Sequence, residues 1–91
     1  MEVVWTQTSK ETFEVILYYI QIRWCTHEAK GFYKETMKVI EYIKCFNEIG
    51  VKHKKKLPYR RFLISKQTYL FYSVRSDVLY LHLFWSTNQD P

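Results

Sequence analysis

The sequence predicts an α+β fold of order β-α-α-β-β-β, in which a helical hairpin packs on one face of a mostly antiparallel four-stranded sheet. Three observations predict this class. Apolar residues recur about every 3.6 positions in the first half, three short segments rich in β-branched and aromatic residues fill the last third, and another such segment precedes the helices. The chain has 91 residues, enough for one small core, so we expect a single domain.

The first helix is predicted over about residues 9–25. Thr8 or Ser9 is its expected N-cap, and Thr8 with Glu11 has the spacing of a capping box. Its apolar positions share one face, which we expect to be buried: Phe13, Ile16, Leu17, Ile20 and Trp24.

The second helix is predicted over about residues 27–48, with Thr26 as its cap and Gly50 as its stop signal. Its apolar face has the same spacing and consists of Ala29, Phe32, Tyr33, Thr36, Val39, Ile40, Ile43 and Phe46. Two such stripes are typical of an αα-hairpin that covers a sheet.

Three strands are predicted over residues 59–65, 69–74 and 78–85, joined by tight turns at 66–68 and 75–77. Turns this short predict an antiparallel meander. The segment at residues 2–6 is a fourth short strand, which we place at an edge of the sheet or beside the last strand.

Composition excludes several function classes. No apolar run approaches the roughly 20 residues that span a bilayer, and the N-terminus lacks the pattern of a signal peptide. We therefore expect a cytoplasmic protein without membrane contact. Cys25 and Cys45 have no metal-ligand spacing, so we interpret them as small apolar fillers and expect neither metal nor cofactor.

The net charge of +5 is concentrated in residues 51–61, a stretch without acidic residues. Such a run favours a polyanion or an acidic protein partner, and the alternative is a solvated loop that keeps an aromatic-rich protein in solution. The positive charges of this stretch are those of Lys52, Lys54, Lys55, Lys56, Arg60 and Arg61, with His53 among them.

Taken together, these elements resemble the RelE/ParE toxin superfamily, the toxin halves of two-component bacterial toxin–antitoxin modules. The match covers almost the whole chain in length and order. The segments that carry it are Val4-Trp5-Thr6, Tyr59-Arg60-Arg61-Phe62-Leu63-Ile64-Ser65-Lys66, Leu70-Phe71-Tyr72, and the ending Phe84-Trp85 with Gln89-Asp90-Pro91.

The resemblance implies one of two mechanisms, of which the first is RelE-like cleavage of messenger RNA on the ribosome. That chemistry needs a base for the 2′-hydroxyl, cations for the phosphate charge and a group for the leaving oxygen. Arg60 matches a basic position of RelE-like chains. Three further basic positions fall instead on Phe62, on or beside Tyr69, and on Asn88 or Gln89. The catalytic candidates that remain are Arg60, Tyr69 and His82.

His82 has a pKa suited to acid–base work, although a surface histidine without a role is the alternative. On the last strand it alternates with Leu81 and Leu83, so it is predicted to point the same way as Tyr80 and Phe84. We expect it on the face opposite the helices, converging there with other candidate side chains, namely Arg60, Arg61, Tyr69 and Tyr72.

The second mechanism is that of ParE-like members, which poison DNA gyrase without catalysis and need only a recognition surface. The lost basic positions do not weaken this hypothesis, so we favour a ParE-like toxin that is not an enzyme. Here the target-binding surface implied by the resemblance is Arg60, Arg61, Tyr72, His82, Trp85, Asn88 and Gln89.

The resemblance also implies a cognate antitoxin, an acidic segment that lays a helix beside the helical hairpin and pairs with the basic run. Two alternatives stay open besides the RelE-like ribonuclease. One is a non-toxic family member that only binds antitoxin. The other is a nucleic-acid-binding module, which we rank lower because strands three and four carry almost no cations between their aromatic residues.

Overall fold

A computed structural model describes residues 1–52 and 58–87. Its elements, in chain order, are β1 (Glu2–Trp5), α1 (Gln7–Arg23), α2 (Thr26–Cys45), β2 (Val51–Lys52), β3 (Arg60–Ser65), β4 (Thr68–Arg75) and β5 (Val78–Ser86). The predictions made for Lys54, Lys55, Lys56, Asn88 and Gln89 lie outside the described residues.

The sheet confirms the α+β class but has five strands rather than four, in the order β1-β5-β4-β3-β2. The additional strand, β2, pairs antiparallel with β3 through two residues, which is too short to give a periodic sequence signal. As predicted, β1 lies at an edge beside the last strand. It runs parallel to β5, while β3, β4 and β5 pair antiparallel, so the sheet is mixed.

Helix α1 begins two residues earlier than predicted, because Thr6 is its N-cap. The Ser9 amide donates to Thr6 Oγ1 at 3.1 Å, and the Ser9 hydroxyl donates back to the Thr6 carbonyl at 2.8 Å. The predicted cap at Thr8 or Ser9 and the Thr8–Glu11 capping box are therefore wrong. The Glu11 carboxylate instead accepts from Gln7 Nε2 at 3.1 Å.

Helix α2 also differs at both ends. Thr26 is its first helical residue rather than its cap, and Cys25 occupies the cap position without a side-chain bond. The helix ends at Cys45, three residues before the predicted end, and the Phe46 amide donates to the Tyr42 carbonyl at 2.8 Å. Gly50 lies beyond this end and does not stop the helix.

The core lies between the helices and one face of the sheet. Most of the predicted apolar helix positions contribute to it, but Trp24, Tyr33 and Phe46 are exposed. Trp24 follows the last residue of α1, which explains its position outside the stripe. The central core residues are Phe13, Ile16, Phe32, Val39, Ile40, Ile43, Ile64, Leu70, Tyr72, Leu79, Leu81 and Phe84.

Cys25 and Cys45 are both exposed, so the interpretation of the two cysteines as small apolar fillers is wrong. Neither helix of the described chain is long and apolar enough to cross a membrane.

Candidate functional site

The candidate site is the face of the sheet opposite the helices, which we call the open face. Side chains alternate along each strand, so the residues between the core positions point to this side. On β4, for example, Leu70 and Tyr72 are buried in the core, while Tyr69 and Phe71 point away from it. The open face is formed by Arg61, Leu63, Tyr69, Phe71, Ser73, Arg75, Tyr80, His82, Leu83 and Trp85.

His82 is at the centre of a polar and aromatic row that crosses three strands. Its Nε2 shares a hydrogen bond of 2.7 Å with the Ser73 hydroxyl. The Tyr59 ring contacts the imidazole edge-on, with ring centroids 4.7 Å apart, and the Tyr80 ring stacks beside it at 6.4 Å. Ser73 is buried although it lies on the open face. The buried Ser73 hydroxyl therefore fixes the orientation of the His82 imidazole.

A β-bulge in β5 aims His82 in this direction. Phe71 pairs with Leu83 and Tyr72 with Leu81, so His82 is the additional residue without a partner on β4. The Thr6 hydroxyl, which also caps α1, donates to the carbonyl oxygens of Leu81 and His82 at 2.8 and 3.2 Å. The start of α1 and the bulge are thereby held together.

The bulge corrects the predicted orientation of the neighbouring side chains. Simple alternation predicted Phe84 beside His82 and Leu83 on the opposite side. In the structure, Phe84 is buried in the core and Leu83 lies on the open face, because the additional residue shifts the alternation by one position. The predicted placement of His82 and Tyr80 opposite the helices is confirmed.

Cations and aromatic rings alternate across the open face. The Arg61 guanidinium lies 5.5 Å from the centre of the Tyr69 ring, and that of Arg75 lies 5.9 Å from the centre of the Tyr80 ring. The half-exposed Trp85 is the cross-strand partner of Tyr69. The predicted strands 69–74 and 78–85 contain almost no cations of their own, but strand pairing and the turn bring Arg61 and Arg75 beside their aromatic rings.

Arg60 and Tyr72 do not join this surface, so the predicted convergence of five side chains is wrong. Tyr72 is fully buried on the helix side, where its hydroxyl donates to the Asn47 carbonyl at 2.8 Å and accepts from the Gly50 amide at 2.9 Å. Arg60 Nη1 donates to the Gly50 carbonyl at 2.8 Å. Both side chains bond to the loop that follows α2, and neither points to the open face.

The surroundings of His82 and Tyr72 shift the pKa of each side chain. Burial and, to a smaller degree, the positive charge of Arg75 lower the pKa of His82 below its usual 6.5. The imidazole is therefore neutral at neutral pH and can accept a proton. Burial raises the pKa of Tyr72 above its usual 10.0, against the opposing effect of the Gly50 amide.

The lowered pKa of His82 predicts a loss of stability on acidification. Between the folded pKa of His82 and its unfolded pKa near 6.5, the unfolded chain binds more protons than the folded chain. The stability that the neutral His82 contributes is therefore present above the unfolded pKa and is lost as the pH falls through the folded pKa. We expect the free energy of unfolding in urea to fall more steeply with decreasing pH in the parent chain than in His82→Gln. Equal slopes for the parent and His82→Gln would contradict the assigned environment of His82.

Sequence reasoning missed Tyr59, Ser73 and Arg75 as members of this surface. The chain holds part of the signal that places Ser73 beside Tyr80. The two-residue turn at Ser76 and Asp77, both with positive φ, fixes the pairing of these two residues. Among the described residues, no three His, Cys, Asp or Glu side chains lie close enough together to hold a metal ion.

The fold, a helical hairpin on one face of a mixed sheet with β1 parallel to β5, is similar to that of two solved structures. A chain of the "Chromosomal ParDE TA system from P. aeruginosa" matches with a TM-score of 0.77 at 9% identity, over 94% of this chain and 95% of that chain. The "YoeB/ParE toxin from Agrobacterium tumefaciens" matches with a TM-score of 0.67 at 16% identity, over 94% of this chain and 98% of that chain.

This chain therefore has the RelE/ParE toxin fold, and the resemblance inferred from the sequence is confirmed at the level of the fold. No protein-family profile matches the chain. No curated protein matches it either.

Proposed function

We propose that this chain is the toxin of a type II toxin–antitoxin module, ParE-like, which inhibits growth by binding a cytoplasmic target such as DNA gyrase. The observation that carries the proposal is the open face of a RelE/ParE toxin fold. This face presents cations and aromatic rings that neither α1 nor α2 covers. Aromatic and arginine side chains are enriched at the centres of protein interfaces, as a binding poison requires.

The target-binding residues proposed on this surface are Arg61, Tyr69, His82 and Trp85. They include three of the residues that the resemblance implied, and Tyr69 enters through its contact with Arg61. Arg60 and Tyr72 have a supporting role, because they hold β2 and the end of α2 against the sheet. Asn88 and Gln89 remain part of the proposal from the sequence alone.

An antitoxin is the second partner that we propose, and the outer face of α2 is suited to it. Tyr33, Met37, Tyr42 and Phe46 line an open apolar groove of about 680 Å³ on this helix. Lysines border the groove, so it matches an amphipathic helix with an acidic edge. The cations that would meet this helix include Lys34 and Lys38 beside the groove and the exposed Lys52 on β2.

The experiment that tests the toxin proposal is inducible expression in a bacterial host, with viable counts taken after induction. We expect the parent chain to stop growth and Arg61→Ala combined with Trp85→Ala to lose most of that effect. Both side chains are exposed, so the double variant should fold, which circular dichroism of the purified protein can verify.

The matched control is Lys10→Ala, which removes an exposed cation from α1, on the helix side of the sheet. It should inhibit growth as strongly as the parent chain. A parent chain that does not affect growth contradicts the proposal. A folded double variant that retains full toxicity removes the open face from the target site.

One observation favours the RelE-like ribonuclease as a second candidate. A neutral His82 held by Ser73 and flanked by Arg75 provides a proton acceptor beside a cation, the combination that attack by a 2′-hydroxyl on a phosphate requires. Under this alternative, His82→Ala should abolish messenger cleavage in a ribosome-containing extract. The gyrase-binding proposal expects no cleavage by the parent chain in that extract.

A further inference from the structure

The molecule has a cleft on the helix side of the sheet, away from the open face, which we call the hairpin cleft. It has a volume of about 540 Å³ and lies between the helical hairpin and the turn that joins β3 to β4. One wall is apolar and aromatic, and Lys66, Gln67 and Thr68 form the opposite rim. The residues of the apolar wall are Ile16, Tyr19, Ile20, Trp24 and Phe32.

One ridge of α2 borders the cleft with two carboxylates and a gap between them. Glu28, Gly31 and Glu35 follow one another at spacings of three and four residues, so they lie on the same side of the helix. A Cβ atom built on Gly31 would meet no atom within 4 Å. The ridge therefore has an open notch through which a bound chain can approach the helix backbone between Glu28 and Glu35.

The two carboxylates have no cationic partner in the part of the chain that the structure describes. The ion pair found there joins Lys44 and Glu41, on another side of α2. Lys66 is the cation that lines the cleft, against the two glutamates. In a chain of net charge +5, the lining of the hairpin cleft thus carries a net negative charge, two glutamates against one lysine.

The aromatic wall restricts which cation fits. The Arg23 guanidinium already lies 5.6 Å from the centre of the Tyr19 ring, so the exposed Trp24 is the ring of this wall on which another planar cation can stack. Trp24 leaves 74% of its surface exposed at the same wall. A guanidinium can stack on such rings and bond to a carboxylate at once, whereas an ammonium is compact and strongly hydrated.

We propose that the hairpin cleft binds an arginine side chain that an apolar segment of a protein partner presents. The guanidinium stacks on Trp24 and pairs with Glu28 or Glu35, the segment passes over Gly31, and its apolar residues contact the partly exposed Ile20. The carboxylates disfavour an acidic segment or a nucleic-acid backbone at this place. The cleft is therefore a third interaction surface, besides the open face and the groove on α2, and it prefers a cation where the basic run prefers an anion. It does not depend on the toxin proposal.

The test is a titration of the isotope-labelled chain with the peptide acetyl-Ala-Leu-Arg-Leu-Ala-amide, followed by amide NMR spectra. We expect concentration-dependent shifts at Gly31, at Lys66 and at the indole N–H of Trp24. The same peptide with citrulline, which has the shape of arginine without its charge, should bind about fivefold more weakly or worse. Glu28→Gln combined with Glu35→Gln should lose affinity for the arginine peptide to a similar degree.

A variant that fills the notch distinguishes binding in the hairpin cleft from non-specific binding of the peptide. Gly31→Leu places a side chain in the notch and should abolish the shifts while the rest of the spectrum stays that of a folded chain. Lys10→Leu, at an exposed position of α1 outside the cleft, should bind as the parent chain does. The proposal is overturned by equal affinity for the arginine and citrulline peptides, by binding to Gly31→Leu at parent strength, or by no shifts up to millimolar peptide. Because the purified chain is titrated without any growth assay, the result is independent of whether the chain is toxic.

Discussion

Replacing Phe84 by alanine should lower the free energy of unfolding by about 3–5 kcal/mol. Phe84 leaves 1% of its surface exposed and joins three elements through aromatic contacts. Its ring centroid lies 5.0 Å from that of Phe13 on α1 and 5.6 Å from that of Trp5 on β1. Phe84→Ala therefore creates a cavity where the first strand, the first helix and the last strand meet, and urea denaturation at neutral pH measures the cost.

The next residue provides the matched control. Trp85 is larger than Phe84 but leaves 50% of its surface exposed on the open face, because the two neighbours point to opposite sides of β5. Trp85→Ala should cost about 1 kcal/mol or less. Similar losses for the two variants would contradict the position of the bulge, because the bulge sets which of these neighbours faces the core.

Gly50→Ala should be the second strongly destabilising substitution, with a loss of about 1–3 kcal/mol. A Cβ atom at this position would lie 2.7 Å from Tyr72 Oη and 2.8 Å from the Arg61 carbonyl oxygen. The close approach also permits the buried bond from the Gly50 amide to Tyr72 Oη, at 2.9 Å. The added methyl group must displace the Tyr72 hydroxyl, which leaves buried polar groups without partners.

The other glycine of the chain should respond with the opposite sign. Gly31 lies inside α2, and a Cβ atom there would meet nothing within 4 Å. Gly31→Ala should therefore stabilise the protein by about 0.5–1 kcal/mol, since alanine is the better helix former. Thermal unfolding of Gly31→Ala and Gly50→Ala measures the two changes in stability. A stabilised Gly50→Ala would show that Tyr72 and Gly50 do not approach each other as closely as described.

The sequence predicted the elements better than their ends. Periodicity is a property of many residues, so both helix faces and the last three strands could be found from it. A cap depends on one hydrogen bond. Thr8 and Ser9 offered the same chemistry as Thr6, and only the sheet decides between them, because the Thr6 hydroxyl also bonds to the carbonyls of Leu81 and His82.

The candidate site could be predicted only in part. Alternation placed His82 and Tyr80 correctly, but the expected convergence of Arg60 and Tyr72 with His82 was wrong. In β3 the two alternating sets are Arg60, Phe62, Ile64 and Arg61, Leu63, Ser65, which both mix apolar and polar residues, so the pattern does not say which arginine faces the core. The contact of Arg75 with Tyr80 depends on strand register, and the position of Leu83 depends on the bulge, neither of which alternation encodes.

The measurement that tests the central claim most directly is incorporation of labelled thymidine against labelled methionine, in the first minutes after the chain is induced in a bacterial host without antitoxin. The folded variant with Arg61→Ala and Trp85→Ala serves as the control for the burden of expression. A ParE-like toxin predicts that thymidine incorporation falls first, that the SOS response rises, and that the control strain shows neither. A first fall in methionine incorporation, or unchanged incorporation of both labels, would contradict that account.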